Sequence, residues 1–101
     1  MKIFISGPYS QGDVAQNVKK AMDLAGQLID MGHSPFCPHL FHFLHINSPK
    51  EYSTWLNTDI EFLSVCDAMI RIQGDSKGAD VEEAFAKDNN IPIYHNISEI
   101  K

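Results

Sequence analysis

Glu82 and Asp59 are the residues from which a chemistry can be read. Two inward-facing carboxylates from separate helices are what glycosyl transfer requires: one attacks the anomeric carbon while the other handles a proton on the leaving group. In retaining glycosidases such groups lie roughly 5 Å apart. Asp59 falls within the stripe Tyr52, Leu56, Ile60 and Leu63, which marks the inward side of a helix. A carboxylate facing inward must be hydrogen-bonded, paired or functional, because desolvating a lone charge is costly; capping a neighbouring loop is its competing use. Glu82 lies about one turn inside a helix opened by Ser76 and the amides around Gly78. There the positive helix end favours the ionised form, which suits a nucleophile. Glu83 points elsewhere and serves as the exposed comparison, and a solvated surface position is the alternative for Glu82 itself.

A second group of candidates surrounds Ser6-Gly7-Pro8-Tyr9-Ser10-Gln11-Gly12-Asp13. Glycine lets backbone approach a ligand closely, and a helix start offers free N–H groups to an anion. The spacing of Gly7 and Gly12 does not fit GxGxxG and no Gly-Lys-Ser/Thr follows, so this is neither a dinucleotide fingerprint nor a P-loop. An ordinary strand-to-helix turn accounts for it equally well. His39, His42 and His45 recur every third residue in an aromatic segment. Without HExxH or a Cys/His zinc spacing, no metal site is expected, and no cofactor. His39 is placed on the cleft, with the others packed against Phe41, Phe43 and Trp55. Phe4, Tyr9 and Phe41 are candidates to stack on a base, although aromatic residues are more often core.

These residues need elements to position them. Lys2 to Ser6 is a short apolar run ending in Gly7-Pro8, a buried strand feeding a turn. Val14, Val18, Ala21, Met22, Ala25, Leu28 and Ile29 follow helical spacing, with Asp13 as cap and Gly32 at the C-terminal end. His33 to Pro38 reads as a weaker strand, and His39 to Asn47 has no clean period. Ser48-Pro49-Lys50-Glu51 has the form of a capping box, which predicts a helix from about Pro49 to Val65. Asp67 to Ile72 is a third strand, Gly78 to Asn89 a helix, Ile91 to Tyr94 a fourth strand, and Ser98 onward a final turn. Alternation of this kind predicts an α/β fold: a single three-layer domain over residues 1–101, Rossmann-like or flavodoxin-like, with a mostly parallel sheet of four to five strands. Ligands in such sheets bind beyond the carboxyl ends of the strands, where the three candidate loops fall.

The bulk composition narrows the partners. With 101 residues there is room for one core. A 44% hydrophobic and 21% charged chain is globular rather than disordered. No apolar stretch is long enough for a membrane, and Met1 to Ile5 lacks a signal-peptide core. The formal charge is −5, with 8 scattered basic residues against 13 acidic ones, so polymeric nucleic acid is not an expected partner. Cys37 and Cys66 read as reduced, buried thiols of a cytoplasmic protein.

Three blocks in this order resemble the nucleoside 2-deoxyribosyltransferase-like superfamily, which includes deoxyribosyltransferases, nucleoside 5-phosphate N-hydrolases and CMP-type N-glycosidases. They are Ser6-Gly7-Pro8-Tyr9; Asn57-Thr58-Asp59-Ile60-Glu61-Phe62-Leu63 followed by Cys66-Asp67-Ala68; and Ser76-Lys77-Gly78-Ala79-Asp80-Val81-Glu82. The resemblance covers most of the chain. It implies Glu82 as nucleophile of a covalent glycosyl intermediate, with Asp59 orienting the sugar or moving a proton. It also implies that Ser76 and the amides of Gly78 and Ala79 hold the ribose end or a 5-phosphate, with Ser6, Gly7, Pro8, Tyr9, His39 and Phe41 completing the substrate site. Phe4 stands where several members carry an active-site tyrosine. The implied activity is cleavage or exchange of the N-glycosidic bond of a (deoxy)nucleoside or its monophosphate. A nucleotide-binding module with little catalysis is the alternative, and an oligomer without a small ligand a third possibility. Relatives build their sites at subunit contacts, so a homodimer or higher homo-oligomer is expected.

Overall fold

Side chains of a strand point alternately to opposite faces, and β1 (Lys2–Ser6) shows the consequence. Ile3 and Ile5 join Ala21 and Leu28 of α1 (Val14–Asp30) in one buried cluster. Phe4 points the other way, into a cluster with Leu63 and Ala86. The next strand inward in sequence contact, β3 (Ala68–Arg71), alternates in the same manner: Ala68 and Ile70 pack on the α1 side, and Met69 with Phe4. Ser6 and Arg71, paired across the two strands, therefore both continue the Phe4 side. That side is covered by α3 (Tyr52–Leu63) and α4 (Lys77–Asp88), the helices that carry Asp59 and Glu82.

The computed structural model describes all of residues 1–101. With β2 (Ser34–Phe36) and β4 (Ile93–Tyr94), the sheet has the order β2-β1-β3-β4 and every pairing is parallel. Helices on both faces make a three-layer α/β domain of the Rossmann/flavodoxin-like kind, and the expected four to five strands resolve to four. From β1 the chain crosses to β2 on one side and later to β3 on the other, so a crevice opens at the carboxyl ends of β1 and β3. Asp13 caps α1 through its Oδ1, which accepts the Gln16 N–H at 3.1 Å, and Gly32 follows it at φ +92°. No helix is long and apolar enough to cross a membrane.

Two elements differ from the sequence expectation. The segment without a clean period is helical: a 3-10 turn over Pro38–Leu40 runs into α2 (Phe41–Asn47). Its period is carried by histidine rather than by aliphatic residues, since Leu40, Phe43, Leu44 and Ile46 are exposed. The capping box does not form. Ser48 instead closes α2, its N–H donating to Leu44 O, so α3 starts only at Tyr52 behind Glu51, which makes no side-chain cap. Tyr52, expected inward, is 63% exposed. Cys37 and Cys66, expected buried, are half-buried free thiols.

The turn after β3 packs directly on the glycine loop after β1. Gly74 has φ +130°, and a Cβ there would stand 2.7 Å from Pro8 Cγ. Gly74→Ala is expected to destabilise the domain by about 2 kcal/mol, lowering Tm by roughly 10 °C. A thermal melt that overlays the wild type would show that the turn relaxes freely.

Candidate active site

A cleft of about 590 Å³ opens at the carboxyl ends of β1 and β3, within the size range of small-molecule sites. Asp59 and Glu82 line it together with Gly7, Tyr9, His39, Phe41, Ser76, Gly78 and Ala79. Ser6 and Pro8 lie behind the wall and act on it. The Ser6 hydroxyl donates to Glu82 Oε1 at 2.7 Å, and Pro8 O accepts from His39 Nε2 at 2.9 Å.

Glu82 is 5% exposed, and its carboxyl is in hydrogen-bonding contact with that of Asp59. Asp59 Oδ1 is buried and receives no hydrogen bond from any protein N–H or hydroxyl. Two carboxyl groups this close repel when both are ionised, which favours one proton on the pair. Burial, with the Glu82 charge beside it, pushes Asp59 up to about 8. Burial also raises Glu82, opposed by the Ser6 hydroxyl, the Asp59 carboxyl and the Arg71 guanidinium. For Glu82 burial is the largest influence, and the groups around it, beside the helix start, are what favour its ionised form. Within the pair, the groups that favour a negative charge all attend Glu82, so Glu82 is the carboxylate and Asp59 holds the proton. Glu83 is not fully exposed either; its side chain is 24% accessible and lies 3.6 Å from Lys87 Nζ.

Ser76 caps α4, with Oγ accepting the Ala79 N–H at 3.1 Å and its carbonyl accepting from Asp80. The Ala79 amide is thus committed, and the N–H groups of Lys77 and Gly78 are those at the helix start without a protein acceptor. A Cβ at Gly78 would meet the Tyr52 hydroxyl at 2.8 Å, the far end of an exposed side chain that can swing aside.

The histidines form the facing wall, and all three line the cleft. His45 Nδ1 accepts from Trp55 Nε1–H at 2.8 Å and from the Lys50 N–H at 3.2 Å. Both partners can only donate, so the His45 proton sits on Nε2. Tyr9 and His42 pair through the phenol oxygen and Nδ1 at 2.6 Å, and burial raises the Tyr9 hydroxyl above its ordinary value. Burial holds His39 below the usual imidazole range, and its Nδ1 is buried without a partner. Phe41 and Trp55 are half-buried and stacked with centroids 5.3 Å apart, while Phe43 is 56% exposed. Phe4 is removed from the list of base-stacking candidates. It is wholly buried and stacks on Phe36.

His42 packs edge-on against Phe43 and His45 against Trp55, as expected. Both histidines also line the cleft, with Lys50, Trp55 and Lys77, which the sequence does not single out as cleft residues. Their signal was the three-residue histidine recurrence, which is a helical face when read as i, i+3, i+6. Arg71 was counted only among scattered bases. It is 9% exposed, and the sign that could have found it is a cation at the end of the apolar run Ala68-Met69-Ile70.

Residues 1–96 match the family described as "Domain of unknown function (DUF7768)". Among solved structures, the chain is similar to a 2-deoxyribosyltransferase from the psychrotolerant bacterium Bacillus psychrosaccharolyticus, with a TM-score of 0.64 and 21% identity. That likeness covers 92% of this chain and 69% of the other, and at this identity it shows a shared fold. No curated protein matches the chain in sequence.

Proposed function

We propose, for a chain that belongs to the DUF7768 domain family, an enzyme that cleaves or exchanges the N-glycosidic bond of a (deoxy)nucleoside or nucleoside monophosphate. The observation that carries this reading is the placing of a buried Glu82 against a half-buried Asp59 on the wall of a cleft at the sheet's switch point, where burial raises both acids. Such a pair supplies a nucleophile and an acid in one place. The Glu82 carboxylate attacks the anomeric carbon as the bond to the base breaks. The electron pair goes to the base nitrogen, which takes the Asp59 proton directly or through water. Water or a second base then attacks the glycosyl ester, giving its proton to the Asp59 carboxylate and releasing Glu82. Stacked Phe41 and Trp55 suit a planar base, and a 5-phosphate suits Lys77 and the open N–H groups of the α4 start.

The similarity to a deoxyribosyltransferase supports the same class of substrate. A second reading, a nucleotide-binding module with little turnover, draws on Phe4, which is sealed in the core and brings no hydroxyl to the site. The exposed Leu40, Phe43, Leu44 and Ile46 on and beside α2 suit a homo-oligomer.

The deciding experiment is incubation with 2-deoxy-2-fluoro-nucleosides and their monophosphates, followed by intact-mass and peptide analysis. The expected result is a stable fluoropentosyl adduct on Glu82 with release of free base. An unlabelled protein that is nonetheless thermally stabilised by the nucleotide would shift the reading to the binding module. With natural deoxynucleosides, added free base separates exchange from hydrolysis.

A further inference from the structure

Arg71 is the only lysine or arginine buried in this domain, and each of its three guanidinium nitrogens donates one hydrogen bond, two to backbone and one to an acid. Nε donates to Ile72 O at 3.0 Å, Nη2 to Gly74 O at 2.8 Å, and Nη1 to Asp80 Oδ1 at 3.0 Å. These contacts join three parts of the site. Ile72 and Gly74 belong to the turn after β3, and Gly74 abuts Pro8 of the glycine loop. Asp80 is in the first turn of α4, ahead of Glu82 on the same helix. Arg71 is also paired in register with Ser6, whose hydroxyl donates to Glu82.

A buried charge with partners on three segments requires a reason, because desolvating a guanidinium is costly and an apolar residue at this strand end would pack more cheaply. Asp80 alone does not supply it. That side chain is 71% accessible, so the ion pair is largely screened on its acid side. The groups facing Glu82 give the reason. From β1 comes the Ser6 hydroxyl, from α3 the Asp59 carboxyl, from β3 the Arg71 guanidinium, and His39 lines the same cleft. On its own helix Lys77 is exposed at the edge of the cleft, Asp80 pairs with Arg71, and Glu83 lies beside Lys87. Arg71 is thus the one buried cation positioned to act on the pair.

We propose that Arg71 is the positioning residue of the Glu82–Asp59 pair: its charge selects Glu82 as the carboxylate and leaves the proton on Asp59, and its fork fixes the start of the helix that carries Glu82. The inference deepens the function proposed above and rests on it for its catalytic meaning, whereas the asymmetry of the pair is testable without turnover. Removing the cation leaves only the Ser6 hydroxyl and the Asp59 carboxyl to favour a charge on the desolvated Glu82, so the pair gives up its first proton at higher pH. An opposite charge within about 4–6 Å of a carboxylate accounts for about 1–3 pKa units. Those values belong to the pair as a whole, not to either acid alone.

The test compares Arg71→Met, Arg71→Gln and Arg71→Lys with the wild type. Arg71→Gln is included because its amide can still donate to Gly74 O if the methionine variant fails to fold. Carboxyl ¹³C chemical shifts of the unliganded proteins, assigned with Glu82→Gln and Asp59→Asn, follow the pair over pH 3–10. The lower apparent pKa is expected to rise by about 1 unit or more in the folded neutral variants and to return towards the wild-type value in Arg71→Lys. In a turnover assay the acidic limb of kcat/KM moves up by the same amount, with kcat affected at neutral pH more than KM. A folded neutral variant whose pair titrates as in the wild type overturns the proposal. So does a lysine variant that titrates like the glutamine one, because charge would then not be the operative property. If the wild type cleaves no nucleoside, the proposed function fails while the titration still decides the role of Arg71.

Discussion

Glu82→Gln is expected to lose at least about 10⁴-fold in kcat/KM for N-glycosidic cleavage while melting a few degrees higher than the wild type at pH 8. Both effects come from one structural feature, a buried Glu82 carboxyl set against a half-buried Asp59 carboxyl. Glutamine keeps an oxygen to accept from the Ser6 hydroxyl, now at 2.7 Å from Oε1, and offers an N–H₂ to the Asp59 carboxylate. It therefore relieves the like-charge conflict that burial imposes above neutrality, a gain of about 1 kcal/mol, or ~4–8 °C in a domain of this size. What it lacks is a nucleophile. An active site that is more stable once disarmed is the signature of strain held for chemistry. Measured kcat/KM within tenfold of the wild type would remove Glu82 from the reaction, and a lower Tm would remove the conflict.

Asp59 makes the second prediction, on pH. Its folded-state value is pushed up to about 8 from an ordinary 3.8, mainly by burial and next by the Glu82 charge. The folded protein therefore binds this proton more tightly than the unfolded chain does. Stability from this group is complete below about pH 4, declines as pH rises towards 8, and is flat above it. Glu82 is shifted in the same direction and steepens the decline. Thermal melts from pH 4 to 9 should show a fall in Tm across that window, and Asp59→Asn should flatten it. A wild-type Tm that rises with pH through this range would contradict a buried shared proton. In turnover, the alkaline limb of the wild-type profile should lie near pH 8, where Asp59 loses the proton the leaving base needs. Asp59→Asn should lower kcat by about 10²–10⁴-fold and abolish that limb. A nucleoside whose base is already cationic, such as a 7-methylpurine, should be cleaved nearly as well by Asp59→Asn as by the wild type. Equal losses on both substrates would assign Asp59 to sugar orientation instead.

Much of the site is legible in the chain because it is local. Asp13 and Ser76 cap their helices through contacts that span three residues, and Glu82 falls a turn inside α4 by counting alone. The misplaced α3 start is also local in origin. Ser48 is one residue with two neighbours to serve, and closing α2 is incompatible with opening a helix at Pro49. Histidine hid the helicity of α2, because an amphipathic face lined with imidazoles towards a cleft does not register as an apolar period.

The residue order by itself determined the alternation of strands and helices, the loops at the strand ends, and the presence of two acids on the helices that follow them. Those properties depend on backbone preference and spacing, which are set by near neighbours. Only the tertiary structure decided that the two acids face each other, that Ser6 and Arg71 stand on their side of the sheet, and that burial raises both acids while the charge-favouring neighbours gather at Glu82. The reason is physical: a proton's position depends on how far water is excluded and which charges lie within a few ångströms, and those neighbours come from β1, α3, β3 and α4, segments that only folding brings together.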